Sequence, residues 1–173
     1  PLGDGTGEWT QTVAMDKPWE TGDGCDIEEG SILLVDSKFM FWYNLRNCSD
    51  VQLEFEWSVI LYAESSDGVH FTKPPLGIVP TFRGSAATNA VGLRNTTTGD
   101  FDICQTCGTV FLDPQGDGDA RYRSCATNKQ GGGTSCQKSS DGLHWESTGT
   151  FMLGYADTQV SSSLGPRAIV GLT

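Results

Sequence analysis

Carboxylates stand at the start of three stretches that read as strands. Asp26 and Glu28, with Glu29, precede Gly30-Ser31-Ile32-Leu33-Leu34-Val35. Asp102 precedes Gly108-Thr109-Val110-Phe111-Leu112, and Asp157 precedes Thr158 to Leu164. Carboxyl groups brought together in space can divide acid–base work between them. One, kept protonated by burial or a like charge, donates a proton; a second, ionised, serves as base or nucleophile. A solvated acidic loop is the plainer account of Asp26, Glu28 and Glu29, and a surface carboxylate that of Asp102.

The other chemistry-bearing residues are more easily read as structure. Asp67 and Asp141 fall in Ser-Asp-Gly turns, where a carboxylate bonds backbone N–H groups two residues on. Asp113-Pro114 reads as a strand-ending turn. Asp117 and Asp119 flank Gly118, a string too short for a calcium loop of the EF-hand type. His70 and His144 occupy equivalent places in a repeated string, which suggests packing rather than catalysis. Trp42, Trp57 and Trp145 sit at strand positions and are expected in the core. Trp9 and Trp19 are expected to be exposed, and are the candidates for stacking on a ligand ring. No Ser-His-Asp order, phosphate loop or dinucleotide motif is present, and no cofactor or metal is expected.

The elements that must position these groups are short strands. Gly30–Val35, Phe39–Tyr43, Ser58–Ala63 and Val69–Thr72 alternate with turns at Asp36-Ser37-Lys38 and Ser66-Asp67-Gly68, and Pro74-Pro75 stops the last. The pattern recurs as Gly108–Leu112, Ala120–Cys125 and Ser135–Lys138. It ends in Ser139-Ser140-Asp141-Gly142-Leu143-His144-Trp145, which repeats Ser65-Ser66-Asp67-Gly68-Val69-His70-Phe71. Four strands per repeat is the signature of propeller blades. The expected fold is all-β, with four-stranded antiparallel blades over 30–77 and 105–150, the start of a third over 156–173, and an irregular arm over 1–29. Propellers close with four to eight blades, so the expectation is an incomplete propeller or, alternatively, repeats that pack as a sandwich.

The chain carries 22 acidic and 11 basic residues, a formal net charge of −11. That charge suits neither phosphate backbones nor anionic membranes, and no apolar run approaches the roughly 20 residues of a spanning helix. Six cysteines, Cys25, Cys48, Cys104, Cys107, Cys125 and Cys136, suggest disulfides and an oxidising compartment. Cys125 and Cys136 fall on neighbouring strands and are the best candidates for one bridge. Cys104-x-x-Cys107 has a rival reading as half of a zinc site or a redox motif. Asn47-Cys48-Ser49 and Asn95-Thr96-Thr97 are acceptor sequons for N-glycans. The start at Pro1, without Met or an apolar signal region, is what a processed form or a fragment would show.

Met15-Asp16-Lys17-Pro18-Trp19-Glu20, Phe39-Met40-Phe41-Trp42-Tyr43 and the run from Tyr62 to Gly77 resemble the N-terminal part of secreted, glycosidase-like five-bladed propellers. So do Val110–Pro114 and Arg121-Tyr122-Arg123. This is the invertase, levansucrase and arabinanase superfamily, and the resemblance covers roughly residues 15–167. It implies that the first strand of each blade lines a central axis and that Asp26, Glu28, Asp102 and Asp157 converge there on a sugar. A retaining pair of carboxyls lies about 5–5.5 Å apart and an inverting pair about 6.5–9.5 Å. The implied function is a secreted carbohydrate-active domain. The alternative is a non-catalytic glycan-binding or structural module, and exposed blade edges are a route to self-association or to a partner chain.

Overall fold

The computed structural model describes residues 13–22, 24–46, 59–92, 109–128, 133–151, 162–163 and 169–170. The fold is all-β and consists mainly of two four-stranded antiparallel sheets. The first holds β1 (Asp26–Val35), β2 (Lys38–Arg46), β3 (Val59–Ser65) and β4 (Ala90–Gly92) in chain order. The second repeats that order with β5 (Thr109–Leu112), β6 (Tyr122–Asn128), β7 (Gly133–Ser139) and β8 (Glu146–Phe151). A short ribbon pairs β9 (Ser162–Ser163) with β10 (Ile169–Val170). Two such sheets without a closed barrel are consistent with an incomplete propeller.

The local chemistry explains the hairpins. Asp36 and Ser37 both take positive φ, 50° and 66°, between the ladder pair Val35 and Lys38. Two left-handed residues in a two-residue loop twist in the sense that suits flanking strands. On β2 alternate residues face opposite ways: Met40 and Trp42 enter one buried cluster, Tyr43 and Leu45 another. The Phe-Met-Phe-Trp-Tyr run is therefore a strand covered on both sides.

One face of the first sheet packs on the second sheet. Leu33, Val35, Met40, Trp42 and Tyr62 meet Val110, Leu112, Tyr122, Leu143 and Trp145 in one cluster. Polar contacts fix the alignment. The Trp42 indole N–H donates to the Gly142 carbonyl at 2.7 Å, and the Val110 N–H donates to Ser31 Oγ at 3.0 Å. Arg121 pairs with Asp36 at 3.0 Å at the rim. The opposite face is covered in part by the arm, through Val13, Met15 and Trp19, and by Val79 and Phe82 of the connection between β3 and β4.

Two sequence expectations are corrected. Val69–Thr72 is not the fourth strand; only Thr72 makes an isolated bridge, to Glu64, and the fourth place belongs to Ala90–Gly92. The reason is local. Asp67 Oδ1 accepts the N–H groups of Val69 and His70, each at 2.8 Å, so a side chain takes the donors a ladder would use. The arm also ends earlier than expected, because β1 begins at Asp26.

Candidate functional site

The start of β1 is the part of the expected axial site that the structure describes. Asp26 and Glu28 oppose Arg46 and Asn44 in the ladder, and the register shifts between Glu28 and Gly30. The extra residue is Glu29. Bulges of this kind re-aim a strand and concentrate near functional sites. Asp26 is half-buried. Asn44, opposite Glu28, is buried, and its Oδ1 has no hydrogen-bond partner. An acceptor buried without a donor costs about 1–3 kcal/mol. Asp102, Asp157 and Trp9 lie outside the described residues, as do the sequons at Asn47 and Asn95.

Trp19 is not the exposed ring that its place in the arm suggests. It is half-buried against the first sheet, and its Nε1–H donates to Asn89 Oδ1 at 2.8 Å. Asn89 is itself fully buried and donates through Nδ2 to the Tyr43 hydroxyl and the Tyr62 carbonyl, each at 2.8 Å.

These contacts belong to a buried polar network that inspection of single residues does not reveal. Glu20 has no exposed surface. Its Oε1 accepts the Tyr43 hydroxyl at 2.5 Å, and its Oε2 accepts Lys73 Nζ at 2.5 Å and the N–H groups of Asp16 and Lys17 at 3.2 Å. Lys73 also pairs with Asp16 at 2.8 Å and donates to the Ala14 carbonyl. The hydrogen bond from Lys73 holds the Asp16 carboxyl below the usual carboxylate range. Burial, then the bond to Glu20, pushes the Tyr43 hydroxyl well above its ordinary value. The network ties the arm to the first sheet. The one sequence signal was Pro18-Trp19-Glu20; Lys73 and Asn89 come from distant parts of the chain.

His70 and His144 do not pack between sheets, contrary to the repeat-based expectation. Both are exposed, and each ring Nδ1 meets its own turn carboxylate, at 2.7 Å to Asp67 and 2.8 Å to Asp141. The expected role of the two aspartates as turn formers is seen. Asp141 accepts Leu143 and His144 N–H at 2.8 Å, as Asp67 does in its turn, while Ser139 Oγ and Ser65 Oγ accept the glycine N–H. The ring of His70 and the turn N–H groups hold Asp67 below the carboxylate range. Burial works against the same effect at Asp141, but the turn donors outweigh it and leave the carboxyl at about 2.

Cys125 and Cys136, ladder partners on β6 and β7, form a disulfide. Cys25 is also disulfide-bonded. Cys48, Cys104 and Cys107 lie outside the described residues, so the zinc and redox readings of the last two find no test there. Asp119 pairs with Lys138, and among the described residues no three His, Cys, Asp or Glu gather as a metal site. No described helix is long and apolar enough to cross a membrane.

No family model matches the chain, and no curated protein matches it. Among solved structures it is similar to a crystal structure from Parabacteroides distasonis, provisionally named a glycoside hydrolase, at 16% identity and a TM-score of 0.50. The match covers 85% of this chain and 42% of that one. At that identity the likeness speaks for the fold alone: the chain spans less than half of that protein's length and shares its fold over most of its own.

Proposed function

We propose that this chain is part of a secreted carbohydrate-active domain, with carboxylates at the start of β1 and at Asp102 and Asp157 acting on glycosides. The observation that carries the reading is the bulged start of β1. There the register position of Glu28 lies across from Asn44, whose buried acceptor lacks a donor, and Asp26 stands two residues before it on the same strand. A sugar hydroxyl is such a donor, and a carboxyl pair beside it is the machinery of glycoside cleavage. Oxidised cysteines at Cys25, Cys125 and Cys136 favour an oxidising compartment. The glycosidase-like architecture of the neighbour agrees with the reading.

The test is to offer the protein isolated from its source a panel of polysaccharides and aryl glycosides, and to read both reducing-end release and retention on immobilised glycans. Turnover that is lost in Glu28→Gln, with melting temperature unchanged, supports catalysis. Retention without turnover replaces it with the glycan-binding alternative. Neither turnover nor retention rejects the carbohydrate reading.

A further inference from the structure

Arg83 stands where the backbone disfavours an arginine. Phe82 and Ser85 exchange both backbone hydrogen bonds across a two-residue turn, at 2.8 and 3.0 Å, and the turn residues Arg83 and Gly84 take positive φ, 48° and 79°. Glycine is at ease in that region and arginine is not. Phe82 anchors the turn, buried in the cluster against which Trp19, Cys25 and Ile27 pack. The effect of the turn is to place one cation. Arg83 Nη1 donates to the carbonyls of Trp19 and Thr21, at 3.1 and 2.9 Å, and to Cys25 Sγ at 3.4 Å.

The three acceptors differ in kind. Two belong to the arm. The third is the sulfur of a disulfide-bonded, half-buried cysteine, one residue before Asp26 at the start of β1. Its partner cysteine lies outside the described residues. A disulfide sulfur is neutral and accepts weakly. Released as a thiolate it is an anion, and a guanidinium beside it makes a charge-assisted hydrogen bond. A disulfide whose reduced form is stabilised in this way is the more readily reduced. The second bridge is built differently. The ladder between β6 and β7 holds Cys125 directly opposite Cys136, which favours closure. The cations beside it are engaged by carboxylates, Arg123 by Asp113 and Lys138 by Asp119 and Glu146.

We infer that the Cys25 disulfide and Arg83 form a redox-sensitive latch on the arm and the start of β1, opened by a dithiol reductant. As regulation of the candidate site the inference rests on the carbohydrate reading of β1; the latch itself does not. One thiolate of the dithiol attacks a sulfur of the bridge and expels the other, and its second sulfur then displaces the mixed disulfide. Two electrons pass to the protein and the reductant leaves as a disulfide. Of its two protons, one goes to the partner thiol and one to solvent, so Cys25 remains a thiolate beside Arg83. Nη1 carries two protons for three acceptors, and the thiolate draws one of them from the arm carbonyls. Asp26 loses the covalent tether next to it. An oxidising compartment keeps the latch closed.

The test is a redox titration of the oxidised chain in dithiothreitol buffers, read by differential alkylation and mass spectrometry at each cysteine, with hydrogen exchange alongside. Cys25 is expected to be reduced at a lower dithiol-to-disulfide ratio than Cys125 and Cys136, and exchange over 18–22 and 24–27 to rise at the same step. Arg83→Asn keeps a residue that tolerates positive φ and removes the cation. It is expected to raise the ratio needed at Cys25 by about tenfold. Arg83→Lys is expected to recover part of that, and neither variant to move the second bridge. The latch is overturned if Cys25 is reduced with or after the second bridge, if Arg83→Asn leaves its midpoint in place, or if exchange in the arm does not respond. Retention on immobilised glycans is then compared in the two redox states. A difference supports regulation of the site, and equal retention overturns it. No retention in either state, with the latch titrating as expected, rejects the carbohydrate reading and leaves the latch standing.

Discussion

Glu20 is buried among donors: the Tyr43 hydroxyl, Lys73 Nζ and two backbone N–H groups. Breaking such a set from one side is worse than removing it whole, because the remaining group stays buried without its partner. Lys73→Met is therefore expected to cost about 3–5 kcal/mol in urea unfolding, with Glu20→Gln in the same background recovering part of that loss. Full additivity of the two substitutions would show that the pair is not coupled. Acid should release the arm through the same network. The folded Asp16 carboxyl lies below its unfolded value, about 3.9. Its contribution to stability is thus present above that value and lost as pH falls through the lower folded one. Asp16→Asn is expected to flatten the acid limb of the pH–stability curve below about pH 4 and to leave neutral pH little changed. An unaltered acid limb would assign acid sensitivity to other carboxylates. None of this is visible in single residues. Glu20 meets Lys73 from 53 positions away, and only the fold brings the two together.

The elements were more readable, and their failures have local causes. The hairpin of β1 and β2 and the three-strand run from β5 to β7 follow from alternation and turn residues. The Cys125–Cys136 bridge follows from two cysteines placed on neighbouring strands. Val69-His70-Phe71-Thr72 has strand-like composition but forms no fourth strand, because a single carboxylate, Asp67, captures two of its N–H groups. The repeat showed that the two histidines share a place, but a shared place does not say which way a ring points. Equivalent turns in unequal surroundings yield a prediction. The turn at Asp141 carries Gly142 beneath Trp42 at the junction of the sheets, whereas the turn at Asp67 is open to solvent. Asp141→Ala is expected to lower the melting temperature and loosen the junction, seen as a red shift of tryptophan fluorescence. Asp67→Ala is expected to change only exchange of the Val69 and His70 amides. Equal effects of the two would mean that the turns act through their own strands and not through the junction.

At the scale of the whole molecule, the two sheets are held to one another by an apolar cluster and a few aligned hydrogen bonds, and cooperative unfolding is expected to depend on that junction. The disulfide lies wholly within the second sheet, closing a separation of 11 residues. A loop of that size is worth about 2–3 kcal/mol through the unfolded chain. Cys125→Ala with Cys136→Ala therefore weakens the second sheet directly and the first only through the junction. Trp42 is the more deeply buried of the two tryptophans in that junction, touching Tyr62 and Tyr122 rings and donating to Gly142. Its loss should cost about 3–5 kcal/mol as a cavity, and it should also uncouple the sheets. With the junction intact, the cysteine variant is expected to unfold in one transition at lower denaturant, with hydrogen exchange of β2 and β6 rising together. With Trp42→Ala added, exchange of β6 is expected to rise at lower denaturant than that of β2, giving two transitions. Coincident transitions in the triple variant would show that something other than the Trp42 junction couples the sheets. A split already present in the cysteine variant would show that the sheets were never one cooperative unit.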